Sequence, residues 1–496
     1  MTIDAMIERL KQHHLFKDIA YENQYYYSAA AINHLNFENV TYDSREVTDN
    51  TLFICKGNQF KQAFLEQAIE KGATCYVAEQ AYDVAVPGVI VTDVRCAMAV
   101  IAMTFYQNPQ EALKIIAYTG TKGKTTSAYF CKSIMDEATD HHTALLSTME
   151  TILDGRHAKK SLLTTPESLD LFKMMRQAVD YGMTHLIMEV SSQAYKLNRV
   201  YGLTFDVGIM LNLSPDHIGP IEHPTFEDYM YCKSQLAEHS RVFILNADMD
   251  AFAYFYNKAT TFADKVITYG EKHGDYRYLP KESGHFTVTG EDLAGDYRIR
   301  LLGDFNQSNA LSAILACHTL GASQEAIQKG LEKANVPGRM ERITTEGAPI
   351  VYVDYAHNYL SASSLLKFIQ MEHPNSRLFV VVGSTGNKAE SRREGFGKVL
   401  SEYADVSILT SDDPEFEDPN DIMDDIEEAM TGENEVVRII DRKEAIEYAI
   451  THAKKEDVVV LCGKGRDQYQ HIKGERVFYE GDVTLAKKYL GIESEK

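Results

Sequence analysis

Two glycines, two lysines and three threonines follow an apolar, strand-like run, and residues of these types in this order can hold a phosphate. Residues 115–117 are apolar, and helix-like sequence begins after the loop. The loop consists of Gly120, Thr121, Lys122, Gly123, Lys124, Thr125 and Thr126. Glycines allow successive backbone N–H groups to turn towards one anion, and the start of a helix adds its positive end. Lys124 can neutralise the charge of a β- or γ-phosphate, and Thr125 can ligate Mg²⁺.

The spacing of this loop differs from the common GxxxxGK[ST] pattern. Tyr118, rather than glycine, stands five positions before Gly123, so the loop is a shortened form, GTxGKTT. A glycine-rich turn without a ligand is the alternative interpretation. The order of strand, glycines, Lys-Thr and helix favours a phosphate loop.

Polar side chains also end two other apolar runs. Glu189 ends "HLIME", and His217 follows "FDVGIMLNLSPD". In a parallel sheet, ligands collect at the carboxyl ends of the strands. We therefore expect Glu189 and His217 to meet a metal ion beside Thr125, because carboxylate and imidazole both bind Mg²⁺, carboxylate better. A salt-bridged carboxylate and a structural histidine are the alternatives.

The elements that must position these residues are strands and helices in alternation. Four apolar runs predict parallel strands: "KIIAYT", "HLIMEV", "FDVGIML" and "RVFILN". A β-rich insert follows, with "HFTVTG" and "YRIRLLG" as a hairpin pair. A second α/β set then contains "IVYVDYAH", "LFVVVGSTG", "VSILTSDDP" and "VVVLCGKG". The pattern predicts an α/β fold.

The chain of 496 residues is too long for one hydrophobic core. We predict three domains, covering residues 1–108, 109–336 and 337–496. Pro337 and Gly338 mark the best hinge candidate between the second and third domains.

Composition excludes several classes of function. The 50 basic and 72 acidic side chains give a net charge of −22, which disfavours binding to nucleic acid or to an anionic membrane. An anionic substrate therefore needs a local basic pocket. The seven cysteines are scattered without a CxxC pair, which indicates reduced thiols and a cytoplasmic protein. The charged N-terminus is no signal peptide, and no apolar run approaches the ~18 residues of a membrane span.

Seven motifs in order resemble those of the Mur ligase family. They are "TGTKGKTT", "TTPE", "EVSS", "NLSPDH", "LGDFNQSNALSA", "PGRME" and "DYAH", between residues 119 and 357. "YDSR" near the start, and "DDP" and "GKGRDQYQ" near the end, extend the likeness over nearly the whole chain. The chain most resembles the MurE type, which adds the third residue of the peptidoglycan stem. The resemblance implies an N-terminal UDP-binding α/β domain, a central P-loop ATPase-like domain with a mostly parallel sheet and a β-rich insert, and a C-terminal Rossmann-like α/β domain.

The family resemblance implies a reaction in peptidoglycan precursor synthesis. ATP, with Mg²⁺, phosphorylates the γ-carboxylate of D-glutamate on UDP-N-acetylmuramoyl-L-alanyl-D-glutamate. The amine of an amino acid then attacks the acyl phosphate, and ADP and phosphate leave. Phosphorylation turns a poor acylating agent into a good one. Binding of the amine next to the acyl phosphate supplies much of the remaining rate enhancement. The resemblance also implies a monomer.

The resemblance assigns roles to residues at the matching positions. Lys233 matches a lysine that is carbamylated (N6-carboxylysine), and a carbamate suits a second Mg²⁺; the alternative is a solvated lysine. Lys124, His217 and Lys233 are the implied catalytic residues, and the implied metal ligands are Thr125, Glu189, His217 and Lys233. Besides the phosphate loop, the implied ATP-binding residues are Asn306, Asn309, Arg339, Asp354 and His357. The implied UDP-sugar-binding residues are Ser44, Asn58, Gln59, Thr164, Thr165, Ser191 and Arg199. Gln193 stands where the family commonly has histidine.

The sequence indicates which amino acid is added. Relatives that add meso-diaminopimelate carry a "DNPR" motif whose arginine holds the distal carboxylate, whereas this chain has Asp412, Asp413, Pro414 and Glu415. An acidic Glu415 repels a carboxylate and suits a distal ammonium, as in L-lysine. A solvated acidic turn is the alternative. The other implied amino-acid-binding residues are Lys388, Arg393, Gly463 and Asp467.

The sequence alone leaves other functions open. The same ligase can use another diamino acid, L-ornithine or meso-diaminopimelate. Folylpolyglutamate synthases share the phosphate loop, the carbamylated lysine and the central sheet, but lack the N-terminal "YDSR…KGNQ" domain. A nucleotide-dependent switch would bind ATP without needing an amine for turnover.

Overall fold

A computed structural model describes residues 1–57, 60–215, 218–219, 222–281, 284–301, 304–387 and 391–492. Within these ranges, the fold is α/β, with three large sheets and a small hairpin, and the predicted fold class is confirmed. No helix among the described residues is long and apolar enough to cross a membrane.

The N-terminal part of the chain forms a six-stranded sheet. Its strands are β1 (Phe16–Tyr21), β2 (Gln24–Tyr26), β3 (Asn39–Thr41), β4 (Thr51–Ile54), β5 (Ala73–Ala78) and β6 (Gly88–Val91). Its helices are α1 (Ile3–Gln12), α2 (Gln62–Glu70) and α3 (Val94–Phe105), and short 3₁₀ turns cover Ala29–Ala31 and Pro109–Ala112. The strand order is β2-β1-β6-β5-β4-β3, with β3 to β6 parallel to one another.

The central part forms an eleven-stranded sheet. Its strands are β7 (Lys114–Thr119), β8 (Thr143–Leu146), β9 (Glu150–Ile152), β10 (Ala158–Lys160), β11 (His185–Glu189), β12 (Phe205–Met210), β13 (Ser240–Asn246), β14 (Lys265–Gly270), β15 (Tyr276–Pro280), β16 (His285–Thr289) and β17 (Gly295–Arg298). Its helices are α4 (Lys124–Thr139), α5 (Ser168–Asp180), α6 (Ser192–Lys196), α7 (Phe226–Glu238), α8 (Phe252–Phe262), α9 (Asp304–Thr319) and α10 (Gln324–Lys333). The order is β10-β9-β8-β11-β7-β12-β13-β14-β15-β16-β17.

The four predicted parallel strands are neighbours in this sheet. β11, β7, β12 and β13 pair in parallel, in that order. Residues 115–119 of β7 are all buried, because the strand is covered on both faces, and this explains its continuous apolar sequence. Of the predicted hairpin pair, "HFTVTG" corresponds to β16, whereas the adjacent β17 covers only the first two residues of "YRIRLLG".

The C-terminal part forms a second six-stranded sheet. Its strands are β18 (Glu341–Ile343), β19 (Ile350–Asp354), β20 (Leu378–Val382), β21 (Val406–Leu409), β22 (Glu435–Arg438) and β23 (Val458–Cys462), and β24 (Tyr469–Ile472) and β25 (Glu475–Phe478) form the hairpin. Its helices are α11 (Tyr359–Glu372), α12 (Ser391–Tyr403), α13 (Pro419–Glu428), α14 (Arg442–His452) and α15 (Asp482–Tyr489). The order is β18-β19-β23-β20-β21-β22, parallel except for β18.

By packing, the chain divides into two compact units. The first comprises Met1–Leu279, Thr287–Tyr297 and Ser308–Glu332, and the second comprises Pro280–Phe286, Arg298–Gln307 and Lys333–Lys496. The three sheets fall within the three predicted segments. The domain boundaries at residues 108 and 336 stay predictions.

Candidate active site

The phosphate loop lies between β7 and α4, where the strand order of the central sheet reverses. β11 pairs with one edge of β7 and β12 with the other, which opens a crevice at the carboxyl end of β7. α4 begins at Lys124, and Gly123 is its N-cap residue with a left-handed φ of +86°. The backbone N–H groups at such a helix start are available to an anion. The structure therefore has the strand, loop and helix in the predicted order.

Asn309 lies against this loop. A Cβ atom added to Gly123 would come within 2.4 Å of Asn309 Oδ1, so that only glycine fits beneath the amide. Asn306 precedes Asn309 by about one turn of α9, and both side chains are buried. Asn309 therefore lies beside the phosphate loop, and the contact of Asn306 and Asn309 with ATP stays a prediction.

Neighbouring elements hold the loop in shape. The backbone N–H of Lys122 donates to Asn212 Oδ1 over 2.9 Å, and Asn212 Nδ2 donates to the Lys122 carbonyl over 3.0 Å. The Thr121 hydroxyl lies 3.2 Å from the Tyr229 hydroxyl on α7. A loop fixed in this way needs little rearrangement to bind an anion.

Lys124 and Lys233 donate to the same carbonyl oxygen. Each Nζ lies 2.8 Å from the oxygen of Gly120, and Lys233 is 2% exposed. Two ammonium groups that share one acceptor repel each other, and the repulsion is strong where water is excluded. A phosphate bound by Lys124, or a carbamate on Lys233, would reduce this repulsion.

Glu189 is fully buried at the end of β11 and is held by Thr148. The backbone N–H of Thr148 lies 2.8 Å from Glu189 Oε1, and its hydroxyl lies 3.0 Å from Oε2. The same hydroxyl lies 3.0 Å from that of Thr164.

Thr125, another predicted metal ligand, is half-buried in the first turn of α4. His217 lies outside the described residues, as do Asn58, Gln59 and Lys388.

Thr165, Ser191 and Arg199, predicted to hold the UDP-sugar substrate, lie in one hydrogen-bonded group. The backbone N–H of Ser191 donates to Thr165 Oγ1 over 3.1 Å, and Ser191 caps α6 by accepting from Ala194. Arg199 donates to the carbonyl of Thr165 and, over 3.0 Å, to Glu167 Oε1. These residues come from separate parts of the sequence and share one edge of the site.

Lys56 joins this group from the N-terminal sheet. Its Nζ lies 2.5 Å from Glu167 Oε2 and 4.1 Å from the centre of the Tyr42 ring. Lys56 and Arg199 therefore share one carboxylate, and both side chains are 13% exposed. Two cations therefore lie beside one carboxylate, at a position where the prediction requires positive charge for an anionic substrate.

Ser44 occupies a neighbouring loop of the first sheet. Its hydroxyl lies 3.4 Å from Gln67 Oε1, and its carbonyl accepts from Lys71. Arg45, in the same "YDSR" motif, binds Asp43 through both carboxylate oxygens and lowers the pKa of Asp43 to about 2. Its role towards uridine stays a prediction.

Acidic side chains in the stretch after β21, in the second unit, form ion pairs. Asp413 Oδ1 accepts from Lys464 over 2.8 Å, whereas Asp412 Oδ1 lies 3.5 Å from the same Nζ. Glu415 has a left-handed φ of +51°, and its backbone bonds to residues 471 and 473 hold it against β24. Asp418 caps α13 instead of facing a pocket.

Arg393, predicted to hold the α-carboxylate of the added amino acid, is bound by two acidic side chains. It donates to Glu417 over 2.6 Å and to Asp425 over 2.7 Å, and it is 5% exposed. Gly463 follows β23 with φ +107°, and Asp467 Oδ1 lies 3.4 Å from the Tyr355 hydroxyl. In the structure, Arg393 therefore holds Glu417 and Asp425 in place. Its contact with the substrate stays a prediction.

Comparison with known proteins identifies the family. Residues 118–317 match the Mur ligase middle domain, and residues 338–465 match the Mur ligase glutamate ligase domain. The UDP-N-acetylmuramoyl-L-alanyl-D-glutamate--L-lysine ligase of Enterococcus faecalis is 52% identical over 467 residues, 91% of each chain. The chain belongs to the Mur ligase family.

Two further similarities cover nearly all of this Mur ligase. The protein of the same name from Streptococcus thermophilus is 49% identical over 493 residues, covering 99% of this chain and 100% of that one. Among solved structures, a UDP-N-acetylmuramoyl-L-alanyl-D-glutamate--2,6-diaminopimelate ligase aligns with a TM-score of 0.69 and 26% identity over 99% of both chains. The predicted family and fold are both confirmed.

The predicted nucleotide residues of the C-terminal part of this Mur ligase form their own group. Asp354 ends β19, and its carboxylate accepts from the backbone N–H groups of Met340 and Ala356, each over 2.7 Å. Burial raises the pKa of Asp354, and Arg339, 3.9 Å away, opposes this rise. His357 is exposed, with Nδ1 2.8 Å from the Tyr355 carbonyl. Contact of these residues with ATP stays a prediction.

The sequence analysis missed a buried Ser–His–Asp arrangement in this Mur ligase. His223 Nε2 lies 2.8 Å from Ser192 Oγ, and Nδ1 lies 2.6 Å from Asp228 Oδ2, which also pairs with Lys196. His223 is fully buried and ties the start of α6, beside Ser191, to α7, which carries Lys233. No local pattern around His223 indicated this arrangement, because its partners are 31 and 5 residues away in the sequence. Lys56 and Lys464, also missed, do lie within the motifs "KGNQ" and "GKGRDQYQ".

Proposed function

We propose that this Mur ligase is an ATP-dependent, ADP-forming ligase that joins L-lysine to the D-glutamate γ-carboxylate of UDP-N-acetylmuramoyl-L-alanyl-D-glutamate. The observation that carries the proposal is the 52% identity, over 91% of both chains, to the E. faecalis protein with that name. L-Ornithine, meso-diaminopimelate and folylpolyglutamate chemistry are less favoured, because two relatives at about 50% identity carry the L-lysine name.

The reaction proceeds in two steps. In the first, a γ-carboxylate oxygen forms a bond to the γ-phosphorus of ATP, the bond from that phosphorus to the β,γ-bridging oxygen breaks, and ADP leaves. In the second, the lysine α-amine forms a C–N bond to the acyl carbon, phosphate leaves with the oxygen that it received, and the amine loses a proton. Lys124 stabilises the phosphate charge of the first step from its position beside Gly120.

The described residues fit a Mg²⁺ ion at this loop. Glu189 is a buried carboxylate, and a carbamate on Lys233 would replace a crowded ammonium with an anionic oxygen donor. Thr125 and His217 complete the set of proposed ligands. When bound, the ion neutralises phosphate charge during transfer.

The substrate side of the site orients the acceptor carboxylate. Arg199 and Lys56 supply positive charge beside Glu167, while Thr164, Thr165 and Ser191 supply hydroxyl groups around it. Ser44, Asn58 and Gln59 are the proposed contacts for the uridine diphosphate. Burial of the acyl phosphate away from water would protect it from hydrolysis before the amine attacks.

The third segment would supply the nucleotide contacts Arg339, Asp354 and His357, and the amino-acid contacts. We assign residues 1–108 to the UDP-sugar-binding domain, 109–336 to the ATP-binding domain and 337–496 to the amino-acid-binding domain. We also propose that the protein is a cytoplasmic monomer. All seven cysteines are free and buried, which fits a reducing compartment.

The test is a reconstitution with the full chain. We expect ADP release when UDP-N-acetylmuramoyl-L-alanyl-D-glutamate, L-lysine, ATP and Mg²⁺ are all present, and a product that mass spectrometry shows to be longer by one lysyl residue. Parallel reactions replace L-lysine with L-ornithine or meso-diaminopimelate, or the UDP-precursor with a folate. A preference for meso-diaminopimelate or a folate would overturn the proposal.

A further inference from the structure

We infer that Lys464 is a positioning residue for the added amino acid: it binds Asp413 and leaves Asp412 as the acceptor for the substrate's distal ammonium. This inference rests on the proposed function, because it requires an amino-acid substrate in the second unit. Lys464 lies within the "GKGRDQYQ" motif but is not among the residues that the family resemblance implies for amino-acid binding.

The strand order brings Lys464 to the acidic pair. Lys464 follows β23, the acidic pair follows β21, and β20 lies between these strands. A Cβ added to Gly383, after β20, would lie 2.5 Å from the Thr410 carbonyl, so the β21 loop packs directly on this backbone. The Lys464 side chain can therefore cross from one strand end to the other.

The Lys464 ammonium is bound asymmetrically. Its Nζ donates to Asp413 Oδ1 over 2.8 Å but lies 3.5 Å from Asp412 Oδ1, too far for a good hydrogen bond. Lys464 is 1% exposed, and its Nζ lies 5.2 Å from the centre of the Tyr469 ring. Asp413 Oδ1 also accepts from the backbone N–H of His471 over 2.9 Å. Asp413 is therefore satisfied without a substrate.

The buried charges around Asp412 leave one negative charge uncompensated. Arg442 binds both oxygens of Asp482, over 2.9 and 2.7 Å, and both side chains are fully buried. Lys464 balances Asp413. Asp412, 6% exposed, accepts no hydrogen bond at its carboxylate from any residue that the structure describes. One further cation beside Asp412 would stabilise its ionised form, because burial raises the pKa of this carboxyl.

Gly463 leaves space beside the Asp412 carboxylate. A Cβ at Gly463 would lie 2.7 Å from Asp412 Oδ2, so any other residue would cover that oxygen. The distal ammonium of a diamino acid is a cation of suitable size to bind there. A neutral or anionic side chain would leave the charge of Asp412 unbalanced.

The test compares Lys464→Met with Lys464→Arg, using ADP release by the full chain. We expect Lys464→Met to raise the KM for L-lysine about tenfold, because the two carboxylates lose the group that orients them. The KM values for ATP and the UDP-precursor should stay within about twofold. Lys464→Arg, which keeps a cation, should restore much of the lysine KM. Lys455→Met, at an exposed position, is the matched control.

A pH profile of kcat/KM distinguishes a positioning role of Lys464 from a role in packing alone. Burial, with Asp413 and Asp482, raises the pKa of Asp412, whereas Arg442 and Lys464 oppose this rise; without Lys464 the Asp412 carboxyl therefore holds its proton to higher pH. His471 and the Glu415 carboxylate lie 3.9 Å apart on the side of β24, and Tyr469 faces Lys464. The acid limb of kcat/KM for L-lysine should therefore move to higher pH in Lys464→Met and stay in place in Lys464→Arg.

The outcomes distinguish this inference from the proposed function. If the wild type uses L-lysine and Lys464→Met changes neither its KM nor the pH profile, or raises all three KM values together, Lys464 has no positioning role. If the wild type rejects L-lysine but accepts L-ornithine, the proposed function is wrong in its substrate, and the same comparison made with L-ornithine decides on Lys464. The inference is also overturned if the wild type accepts only amino acids that lack a second ammonium group.

Discussion

The Nζ atom of Lys233, on α7, donates a hydrogen bond to the carbonyl oxygen of Gly120, over 2.8 Å. This bond connects a helix of the central sheet to the phosphate loop across 113 residues of sequence. Because Lys124 donates to the same oxygen, the two ammonium groups lie within twice that distance of each other. The arrangement leads to the first prediction.

We expect Lys233 to carry a CO₂-derived adduct, because a carbamate relieves the repulsion from Lys124 and supplies a metal ligand. Intact-protein and peptide mass spectrometry under bicarbonate should locate the adduct. Lys233→Ala should lower kcat about 100-fold or more, in line with the loss of one charge-stabilising group. The exposed Lys272→Ala is the control. Full activity of Lys233→Ala would exclude Lys233 from the site.

Gly123→Ala should abolish tight ATP binding, since its Cβ would lie 2.4 Å from Asn309 Oδ1. Gly182→Ala is a closely matched control: its φ of +81° is near the +86° of Gly123, but nothing lies within 4 Å of its added Cβ. Both variants bear backbone strain of about 1 kcal/mol. Calorimetry should show a loss of ATP affinity for Gly123→Ala only, and equal affinities in the two variants would contradict the prediction.

Glu167→Gln should destabilise the first compact unit by about 3 kcal/mol, because Lys56 and Arg199 lose their shared, nearly buried carboxylate. Urea unfolding at neutral pH measures the change, with the exposed Glu456→Gln as the control. The same variant should raise the KM for the UDP-precursor, since the two cations lose the group that orients them. An unchanged urea midpoint together with an unchanged KM would refute the bridging role.

The pair of Glu341 and Arg466 predicts a pH dependence of stability. Burial alone would raise the pKa of Glu341, but two 2.8 Å hydrogen bonds from Arg466 and its charge outweigh burial and lower it. The contribution of the ionised pair is therefore complete above the ordinary glutamate pKa of about 4.3 and is lost as the pH falls through the lower, folded-state value.

Arg466→Met should accordingly reduce the free energy of unfolding at neutral pH, and its difference from wild type should shrink as the pH falls below about 4. Denaturant titrations at a series of pH values measure this difference. The exposed Arg156→Met should show no such trend. A difference that is constant with pH would show that the Arg466 pair has no electrostatic role.

Much of the candidate site was predictable because its signals are local. The phosphate loop needs glycines, a lysine and a helix start within a few residues, and these stand together at 120–126. The continuous apolar strands of the central sheet also carry a clear local signature, since a strand buried on both faces excludes polar side chains. Seven motifs in order were enough to predict the family.

Other parts could not be predicted from local patterns. The sequence indicated that the acidic residues Asp412, Asp413 and Glu415 suit a distal ammonium, yet Lys464 binds Asp413, and Arg393 binds Glu417 in the same stretch. Arg393 is 24 residues from Glu417, and Lys464 is 51 from Asp413, so that no spacing rule connects them. Which carboxylate stays available depends on these ion pairs.

The sequence by itself determined the fold class, the family and the chemistry that the phosphate loop can perform, because each depends on residues that act within one strand, turn or helix. Only the tertiary structure decided which charges meet: Lys56 pairs with Glu167 and Lys464 with Asp413, whereas Lys233 lies beside the like-charged Lys124 at Gly120. The physical reason is that electrostatic pairing depends on distance and burial. Both are set by strand order and by packing between elements that are far apart in the chain.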